Sequence, residues 1–134
     1  MSSFHLQILT PDGTFFDGEA EKVSVRACTG NLTILPRHMD FVTPLGMGEA
    51  RVTVNGAVKK AACIGGMLVV KDGAVRLLAT TFEWQEQIDL ARALRSKERA
   101  EAQLAHRESL TADEIRLAEA RLRRALVRSS LAEQ

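Results

Sequence analysis

Few side chains in the 134-residue chain have the types and spacing that catalysis requires. His38 and Asp40 lie two positions apart and could be imagined as a general base with its orienting acid. That spacing alone does not make a dyad, and no nucleophile can be identified beside the two residues. The sequence has neither a G-x-x-x-x-G-K-[ST] phosphate-binding loop nor an H-E-x-x-H metal motif. We therefore expect a non-enzymatic protein without a metal site, in which His38 is a structural or interface residue.

A basic segment near the end of the chain is the first pattern that suggests binding. It contains four arginines and no acidic residue, namely Arg121, Arg123, Arg124 and Arg128. Like charges four residues apart, such as those of Arg124 and Arg128, disfavour an isolated helix. Either water solvates this face, or an acidic protein or a phosphate group binds it. The pattern alone leaves both interpretations open.

Asp89 and Arg92 form a second charged pattern, an acid and a base three residues apart. A helix places two such residues on one face, and an exposed pair of this kind stabilises a helix by about 0.3–0.5 kcal/mol. Asp89 also suits the positive N-terminal end of a helix. By itself, the pattern predicts a surface ion pair near the start of a helix.

The spacing of apolar residues changes near this pair and predicts two domains. In residues 1–84, apolar residues recur at every second position between turn signals, and Asn55-Gly56 is typical of a two-residue hairpin turn. Residues 85–134 contain no glycine or proline and follow a helical period. The sequence predicts an N-terminal antiparallel β-sandwich or barrel over residues 1–84, followed by a C-terminal antiparallel αα-hairpin over residues 85–134.

Residues 36–49 are predicted to be irregular, because their two prolines remove backbone donors and their glycines loosen the chain. The segment nevertheless contains many apolar residues. We expect Val42 and Leu45 to lie in the core. Core and partner surface both remain open for the other three, Met39, Phe41 and Met47.

The helical pattern begins at about Gln85 and has a thin apolar stripe on each helix. The predicted stripe of the first helix contains Ile88, Ala91, Leu94, Ala100 and Leu104. Thr111 and Glu114 match a capping box at the start of the second helix. The stripe of that helix contains Ile115, Ala118, Leu122 and Ala125. Such stripes suit close contact between two helices better than a thick core.

Composition excludes several classes of protein. The chain has 18 basic and 17 acidic residues, which argues against a nucleic-acid partner. The longest nearly apolar run, 61–70, is about half the roughly 20 residues that a membrane-spanning helix needs. The N-terminus lacks the pattern of a signal peptide. We expect a soluble cytoplasmic protein with no direct membrane span.

Several short segments, in this order, are similar to those of one known family. They are Thr10-Pro11, Gly18-Glu19-Ala20, Leu35-Pro36-Arg37-His38 (Leu-Pro-Gly-His in the family), Gly65-Gly66-Met67 (Gly-Gly-Phe in the family), and Ile88-Asp89-Leu90-Ala91-Arg92-Ala93. The last segment matches the family's I-D-x-x-R-A motif. Over essentially its full length, the chain resembles the epsilon subunit of bacterial F-type ATP synthase.

The resemblance implies a non-catalytic rotor subunit that couples ion translocation to ATP synthesis. Its sandwich would lie at the foot of the central stalk, against the gamma subunit and the ring of membrane c subunits. The interface candidates are His38, Met39, Phe41 and Met47. The hairpin would either fold on the sandwich or extend along the stalk, where its basic face (Arg121, Arg123, Arg124 and Arg128) would meet the catalytic beta and alpha subunits and restrain ATP hydrolysis. The protein would be peripheral, on the cytoplasmic face of the cell membrane.

The motif also implies a nucleotide site, with ATP as a regulatory ligand and no required cofactor. The residues carried over from the motif are Ile88, Asp89, Arg92 and Ala93, and Glu83 just upstream is expected at the same site. Arg99, Arg124 and Arg128 would add positive charge from the hairpin, although no motif fixes them. Arg37 departs from the family because it replaces a glycine, and Phe82 and Trp84 are bulkier than the family's usual residues. An alternative interpretation is a small adaptor whose basic C-terminal helix docks an acidic protein or RNA.

Overall fold

A computed structural model describes residues 2–134 of the chain. The chain divides into two compact units, and the boundary lies between Trp84 and Gln85. The first unit contains all the strands and the second contains both helices. Each unit is described by itself below.

Seven strands form the first unit. They are β1 (Phe4–Thr10), β2 (Gly13–Ala20), β3 (Lys22–Ala27), β4 (Gly30–Ile34), β5 (Phe41–Val54), β6 (Ala57–Lys71) and β7 (Ala74–Trp84). Their order in the sheet is β2-β1-β7-β6-β5-β3-β4. Neighbouring strands are antiparallel except β1 and β7, which are parallel. The predicted β-sandwich is confirmed, and the parallel pair is an addition that strand periodicity could not show.

The pairing of the long strands β5 and β6 is interrupted at glycines. The paired register passes from Leu45↔Gly66 to Met47↔Ile64 and skips one residue on each strand. Gly66 has a φ of +117°, and a Cβ at this position would lie 1.9 Å from the carbonyl oxygen of Leu78. Only glycine allows so close an approach of the two backbones.

The predicted irregular segment 36–49 is mostly strand, so that prediction is wrong from Phe41 onward. Pro44 lacks a backbone N–H, but its carbonyl oxygen accepts a hydrogen bond from the Cys28 N–H at 3.1 Å. Leu45 is buried as predicted, whereas Val42 is 59% exposed and does not belong to the core. The alternation along β5 explains the difference, since these two residues lie an odd number of positions apart and face opposite sides of the sheet.

The core of the sandwich consists of large side chains from alternate positions. Its fully buried members include Leu6, Ile8, Val23, Val25, Ile34, Val52, Leu68, Val70, Val75 and Leu77. At one end of this core, Phe82 meets Phe15 and Trp84 edge to face, with ring centroids 5.5 and 4.9 Å apart. The bulky Phe82 and Trp84, which depart from the family pattern, are therefore core residues here.

The second unit contains helices α1 (Leu90–Ala105) and α2 (Ala112–Ala132). A short 3-10 turn at Gln85–Gln87 precedes α1, and another at Arg107–Ser109 joins the two helices. The first helix thus begins five residues later than predicted. Neither helix is both long and apolar enough to span a bilayer, as far as residues 2–134 are concerned.

The buried stripes of the helices consist mainly of alanine. On α2 the predicted stripe is confirmed, because Ala118 and Ala125 are buried and the two larger residues are partly buried. On α1 the buried residues are Ala93 and Ala100, whereas Ala91 is exposed. The predicted stripe of α1 is therefore correct at Ala100, which is buried, and at Ile88, Leu94 and Leu104, which are partly buried, and it is wrong only at Ala91.

Candidate functional site

Asp89 is the N-cap of α1. It has extended backbone angles (φ −84°, ψ 103°), and its Oδ1 accepts a hydrogen bond from the backbone N–H of Arg92 at 3.1 Å. Its own carbonyl oxygen accepts the first helical hydrogen bond, from the N–H of Ala93 at 3.0 Å. The predicted side-chain ion pair between Asp89 and Arg92 is wrong, since no salt bridge joins them within residues 2–134. The carboxylate satisfies a backbone donor that the helix itself leaves unpaired.

The other motif residues have different environments. Ile88 is partly buried, and its N–H bonds to the carbonyl oxygen of Gln85 at 3.2 Å. Ala93 is fully buried, with 0% of its surface accessible. Arg92 is exposed, so its guanidinium can reach an anion in solution. Glu83 lies on β7 in the sandwich unit, in register with Ala62, and is partly buried.

The remaining arginines fall on two lines along the hairpin. Arg99 is exposed and lies seven residues after Arg92, which places both on one side of α1. On α2, Arg121, Arg124 and Arg128 share a side, and the last two are partly buried. At about 100° per residue, the line on α1 lies roughly 80–120° from its buried alanines, and the line on α2 lies roughly 40–120° from its buried alanines in the same rotational sense. Antiparallel packing of the stripes then places the two lines on the same face of the helix pair.

Arg123 does not join this face. It lies about 100° around the helix from Arg124 and is exposed. The expectation that it extends the basic line on α2 is therefore wrong in geometry. This separation makes it a matched control for the other arginines of the same helix.

The second helix begins with the predicted capping box, which is confirmed. The N–H of Glu114 donates to Thr111 Oγ1 at 3.1 Å, and the N–H of Thr111 donates to Glu114 Oε1 at 3.0 Å. The hydrogen bond from the Thr111 backbone, followed by that from its side chain, lowers the pKa of the Glu114 carboxyl. Thr111 and Glu114 occupy the same helix positions in α2 that Asp89 and Arg92 occupy in α1.

The end of α2 is hydrogen-bonded to the root of the hairpin, which is the short turn Gln85–Gln87 before α1. Gln85 Nε2 donates to the carbonyl oxygen of Leu131 at 2.8 Å, across 46 positions of the chain. Leu131 and Ser129 at this end of α2 are 1% and 5% exposed. This contact closes the helical unit at the end opposite the turn between the helices, and no pattern in the sequence indicated it.

In the sandwich unit, the predicted interface loop has a defined conformation. The His38 N–H bonds to the Leu35 carbonyl oxygen at 3.2 Å, and Arg37 has a φ of +67°. Proline at the second position and a positive φ at the third are the pattern of a type II turn, which favours glycine where Arg37 stands. The loop thus keeps the turn that the family's glycine suits.

His38 and Asp40 do not form a catalytic pair. His38 Nδ1 lies 2.8 Å from the Met39 carbonyl oxygen, and its ring meets Phe41 edge to face at 5.9 Å between centroids. Asp40 Oδ1 instead accepts a hydrogen bond from the N–H of Asp72 at 3.0 Å. The acid therefore anchors the loop to the β6–β7 turn rather than orienting the imidazole. Within residues 2–134, no cluster of three or more metal-binding side chains occurs either.

The predicted interface residues differ in exposure. Met39 is 76% exposed and Phe41 36%, while Met47 is only partly buried. An apolar row that sequence reasoning missed crosses four adjacent strands on the outer surface of the sheet: Pro44, Met67, Leu78 and Leu9 lie side by side in register. The sequence signal that could have revealed this row is the presence of apolar residues at outward-facing positions of the alternating strands. Such a contiguous apolar surface is typical of a protein interface.

Two family models together cover the chain. The β-sandwich domain of the ATP synthase delta/epsilon chain matches residues 3–85, and the long α-helix domain of the same chain matches residues 86–133. The chain belongs to the ATP synthase delta/epsilon chain family. Members of this family are non-catalytic subunits of ATP synthase, and this assignment decides against the small-adaptor alternative.

Individual relatives agree with the family. The ATP synthase epsilon chain of Caldicellulosiruptor bescii is 39% identical over 134 residues, which cover 100% of this chain and 96% of the relative. That of Bacillus velezensis is 43% identical over 132 residues, which cover 98% of both chains. A subunit in a structure of the Euglena gracilis mitochondrial ATP synthase has the same fold, with a TM-score of 0.79 at 21% identity over 92% of this chain and 77% of that one.

Proposed function

We propose that this epsilon-family chain is a rotor subunit that couples ion flow to ATP synthesis and restrains ATP hydrolysis by opening its C-terminal hairpin. The observation that carries the proposal is the combination, in one chain of this family, of a sandwich with a large apolar core and a basic hairpin whose buried stripes consist mainly of alanine. Its partners would be the gamma subunit, the ring of c subunits and the catalytic beta and alpha subunits. Its place would be the cytoplasmic face of the membrane, without a span of its own.

The exposed apolar surface of the sandwich supports a docking role. Met39 and Val42 are 76% and 59% exposed, and Met67 and Leu78 of the apolar row are 38% and 39% exposed. Apolar area of this kind is stabilised when a partner removes it from water, at about 25 cal/mol per Å². We assign this surface to the gamma subunit and the c ring. A Tetrahymena thermophila mitochondrial structure described as central stalk and c-ring contains a chain with a similar fold, with a TM-score of 0.64.

The thin contact between the helices supports an opening hairpin. Their buried stripes consist mainly of alanine, and an alanine buries little apolar surface. Besides this stripe, the hydrogen bond from Gln85 to Leu131 holds the end of α2 to the root. Contacts of this size allow closed and open states within a few kcal/mol of each other. The difference can then be controlled by a ligand or by a partner.

The arginine lines support both the inhibition and its relief. In an open hairpin, Arg121, Arg124 and Arg128 would face acidic segments of the catalytic subunits. In the closed hairpin, the same face of the helix pair also presents Arg92 and Arg99. Phosphate groups of ATP could bridge the two lines, which would stabilise only the closed state. ATP would thereby relieve inhibition by mass action.

Deletion of residues 86–134 in the assembled enzyme tests the inhibitory role. We expect ATP hydrolysis to increase, because the open hairpin can no longer form, while the truncated chain still copurifies with the gamma subunit through its sandwich. Unchanged hydrolysis with normal copurification would contradict the inhibitory role alone. Loss of copurification would contradict docking through the sandwich.

A matched pair of variants tests the basic face. Arg124 alone is replaced by alanine in one variant, and its neighbour Arg123 alone in the other. Hydrolysis by the assembled enzyme should increase with the first variant and stay near the unmodified level with the second. An equal response to both would indicate that only overall charge matters.

A further inference from the structure

Two hairpin turns of the sandwich have the same backbone geometry. Asn55 and Gly56 connect β5 to β6 with φ angles of +51° and +78°, and Asp72 and Gly73 connect β6 to β7 with φ angles of +51° and +79°. Positive φ at both central residues is typical of a type I′ turn, which asparagine, aspartate and glycine favour. Of the two turns, only the first combines a side-chain amide with a following glycine.

An asparagine that precedes a glycine can lose its side-chain amide without an enzyme. The backbone nitrogen of the glycine gives its proton to hydroxide and attacks the asparagine Cγ. A cyclic imide forms, and the side-chain nitrogen takes a proton from water and leaves as ammonia. Water then opens the ring at one of its two carbonyl carbons, which gives aspartate or isoaspartate. The chain has two asparagines, and Asn55 is the one that precedes a glycine, whose missing Cβ leaves room for the ring.

The attacking nitrogen, that of Gly56, is hydrogen-bonded to a carboxylate from another part of the sandwich. Its N–H donates to Glu21 Oε1 at 2.7 Å, across 35 positions of the chain. The ladder between β5 and β6 does not use this N–H, because a two-residue turn leaves the amides of its central residues outside the ladder. Asn55 and Gly56 are exposed, so the N–H would otherwise face water. Glu21 therefore binds the proton that the reaction has to remove.

The sheet fixes the position of Glu21. Its own N–H donates to the Thr53 carbonyl oxygen at 2.8 Å, and the next residue, Lys22, pairs with Thr53 in the register of β3 and β5. Glu21 is also partly buried, which limits the freedom of its side chain. The carboxylate is therefore held next to the turn by the same strand pairing that forms the sandwich.

The turn between β6 and β7 also bonds to a carboxylate, but through a different amide. Asp40 Oδ1 accepts a hydrogen bond at 3.0 Å from the N–H of Asp72, which is the first central residue of that turn. In the turn between β5 and β6, the bonded N–H is that of the second central residue, Gly56. The carboxylate thus bonds the glycine nitrogen in the turn where this nitrogen can attack an amide.

We propose that Asn55 is a deamidation site that Glu21 protects in the folded chain. The carboxylate opposes removal of the Gly56 proton, because the resulting nitrogen anion would lie next to a second negative charge and a charge-assisted hydrogen bond would be lost. The same hydrogen bond fixes the plane of the amide, so the nitrogen cannot turn toward the Asn55 Cγ. Deamidation then occurs in chains whose turn has separated from Glu21.

The two products have unequal effects on the turn. Aspartate suits a type I′ turn, as Asp72 shows in the next hairpin. Isoaspartate adds a methylene group to the backbone, and a two-residue turn cannot accommodate it while Val54 stays paired with Ala57. We expect the isoaspartate product to separate the adjoining ends of β5 and β6.

Mass spectrometry of the full chain, incubated at mildly alkaline pH, measures deamidation at Asn55. The folded unmodified chain should react at least about tenfold more slowly than the same chain unfolded in urea, the factor that corresponds to a hydrogen bond to a charged group. Glu21→Ala should remove this protection in the folded chain and leave the rate in urea unchanged. Glu21→Gln, which keeps an acceptor oxygen without the charge, should react at an intermediate rate. Glu19→Ala is the control, because the Glu19 carboxylate bonds Ser3 instead, and it should react like the unmodified chain.

Amide exchange separates loss of the Glu21 contact from general opening of the hairpin, because exchange also begins with removal of the amide proton. In the unmodified chain, the Gly56 amide should be protected although the residue is exposed. In Glu21→Ala it should exchange at least about tenfold faster. The Ala57 amide, which belongs to the ladder, should keep its protection in that variant.

Three results would overturn the inference. Equal deamidation rates in the folded and the urea-unfolded unmodified chain would show that the turn is not protected. Equal rates in Glu21→Ala and Glu19→Ala would show that the Glu21 carboxylate is not the source of the protection. Equal loss of amide protection at Gly56 and Ala57 in Glu21→Ala would assign the faster reaction to opening of the whole hairpin.

Discussion

The sandwich and the helical hairpin are each stabilised internally by a different kind of contact. The sandwich buries leucine, isoleucine and valine from several strands, including Leu6, Leu68 and Leu77, each of which is 0% exposed. The hairpin buries alanines along its two stripes and closes with Leu131 and a side-chain hydrogen bond from Gln85. Burying a leucine contributes about 1.5–3 kcal/mol, and each methylene about 0.8 kcal/mol. From this difference we expect the sandwich to stay folded under conditions in which the hairpin opens.

The largest effect should come from the sandwich core. Leu68→Ala removes a fully buried side chain and leaves a cavity, so we expect the free energy of unfolding of the sandwich to fall by about 2–5 kcal/mol. Denaturant unfolding followed by Trp84 fluorescence measures it, because Trp84 lies in the same core. If Leu68→Ala lowered the free energy of unfolding no more than Val58→Ala, which changes an exposed residue, the assignment of Leu68 to the core would be contradicted.

The next effect concerns the alanine stripe of the hairpin. Ala118→Leu overpacks the close contact between the helices, and this should destabilise the closed hairpin by about 1–3 kcal/mol. Spin labels at Glu98→Cys and Glu119→Cys, in a Cys28→Ser background, would report a longer distance between α1 and α2. Cys63 can stay, because burial raises the pKa of its thiol to about 12 and keeps it protonated and unreactive.

Ala102→Leu is the control for this experiment. It makes the same chemical change on the exposed side of α1. The distance between the labels should remain that of the unmodified chain. If the distance between the labels increased equally in both variants, the effect of leucine would not depend on its position in the buried stripe.

A smaller effect should come from the hydrogen bond at the hairpin root. Gln85→Glu keeps the size of the side chain but replaces the donor with an oxygen that faces the Leu131 carbonyl, so the closed state should lose about 0.5–1.5 kcal/mol. The same spin-label distances should show a larger open fraction, and the assembled enzyme should hydrolyse ATP more slowly. Gln103→Glu, which has an exposed side chain on α1, makes the same charge change and should have no effect.

The smallest effect should come from low pH, at which Glu114 at the start of α2 becomes protonated. The pKa of Glu114 is lowered in the folded chain by its hydrogen bonds to Thr111. Its contribution to stability is therefore present above the unfolded-state pKa and is lost as the pH falls through the lower folded-state pKa. Amide exchange in the first turn of α2 should accelerate there, and Glu114→Gln should remove the pH dependence. An unchanged pH dependence in that variant would assign it to another carboxyl.

Much of this difference between the units could be predicted from the sequence. The change from alternating to helical spacing marked the two kinds of structure, and Thr111 with Glu114 identified the start of α2. The length of β5 could not be predicted, because Pro44 and the glycines suggest a loop. The strand includes them, and the Pro44 carbonyl oxygen accepts a hydrogen bond from the Cys28 N–H. Val42 was assigned to the core for the same reason.

The candidate site was only partly predictable. The motif and the arginines are visible in the sequence, but the expected Asp89–Arg92 ion pair is instead a hydrogen bond to the Arg92 backbone. Spacing shows that two residues share a helix face, but it does not show which atoms meet at a helix end. The contact between Gln85 and Leu131 joins positions that carry no local pattern, so only the packed structure reveals it.

Native-state amide exchange tests the central claim, that the hairpin opens while the sandwich stays folded. Exchange is followed residue by residue in the full chain at low concentrations of denaturant. We predict that amides at the C-terminal end of α2 exchange through an opening with a free energy several kcal/mol below that of the central amides of β6. The Gln85→Glu change should lower the first value and leave the second unchanged. A single common free energy for α2 and β6 would contradict the account.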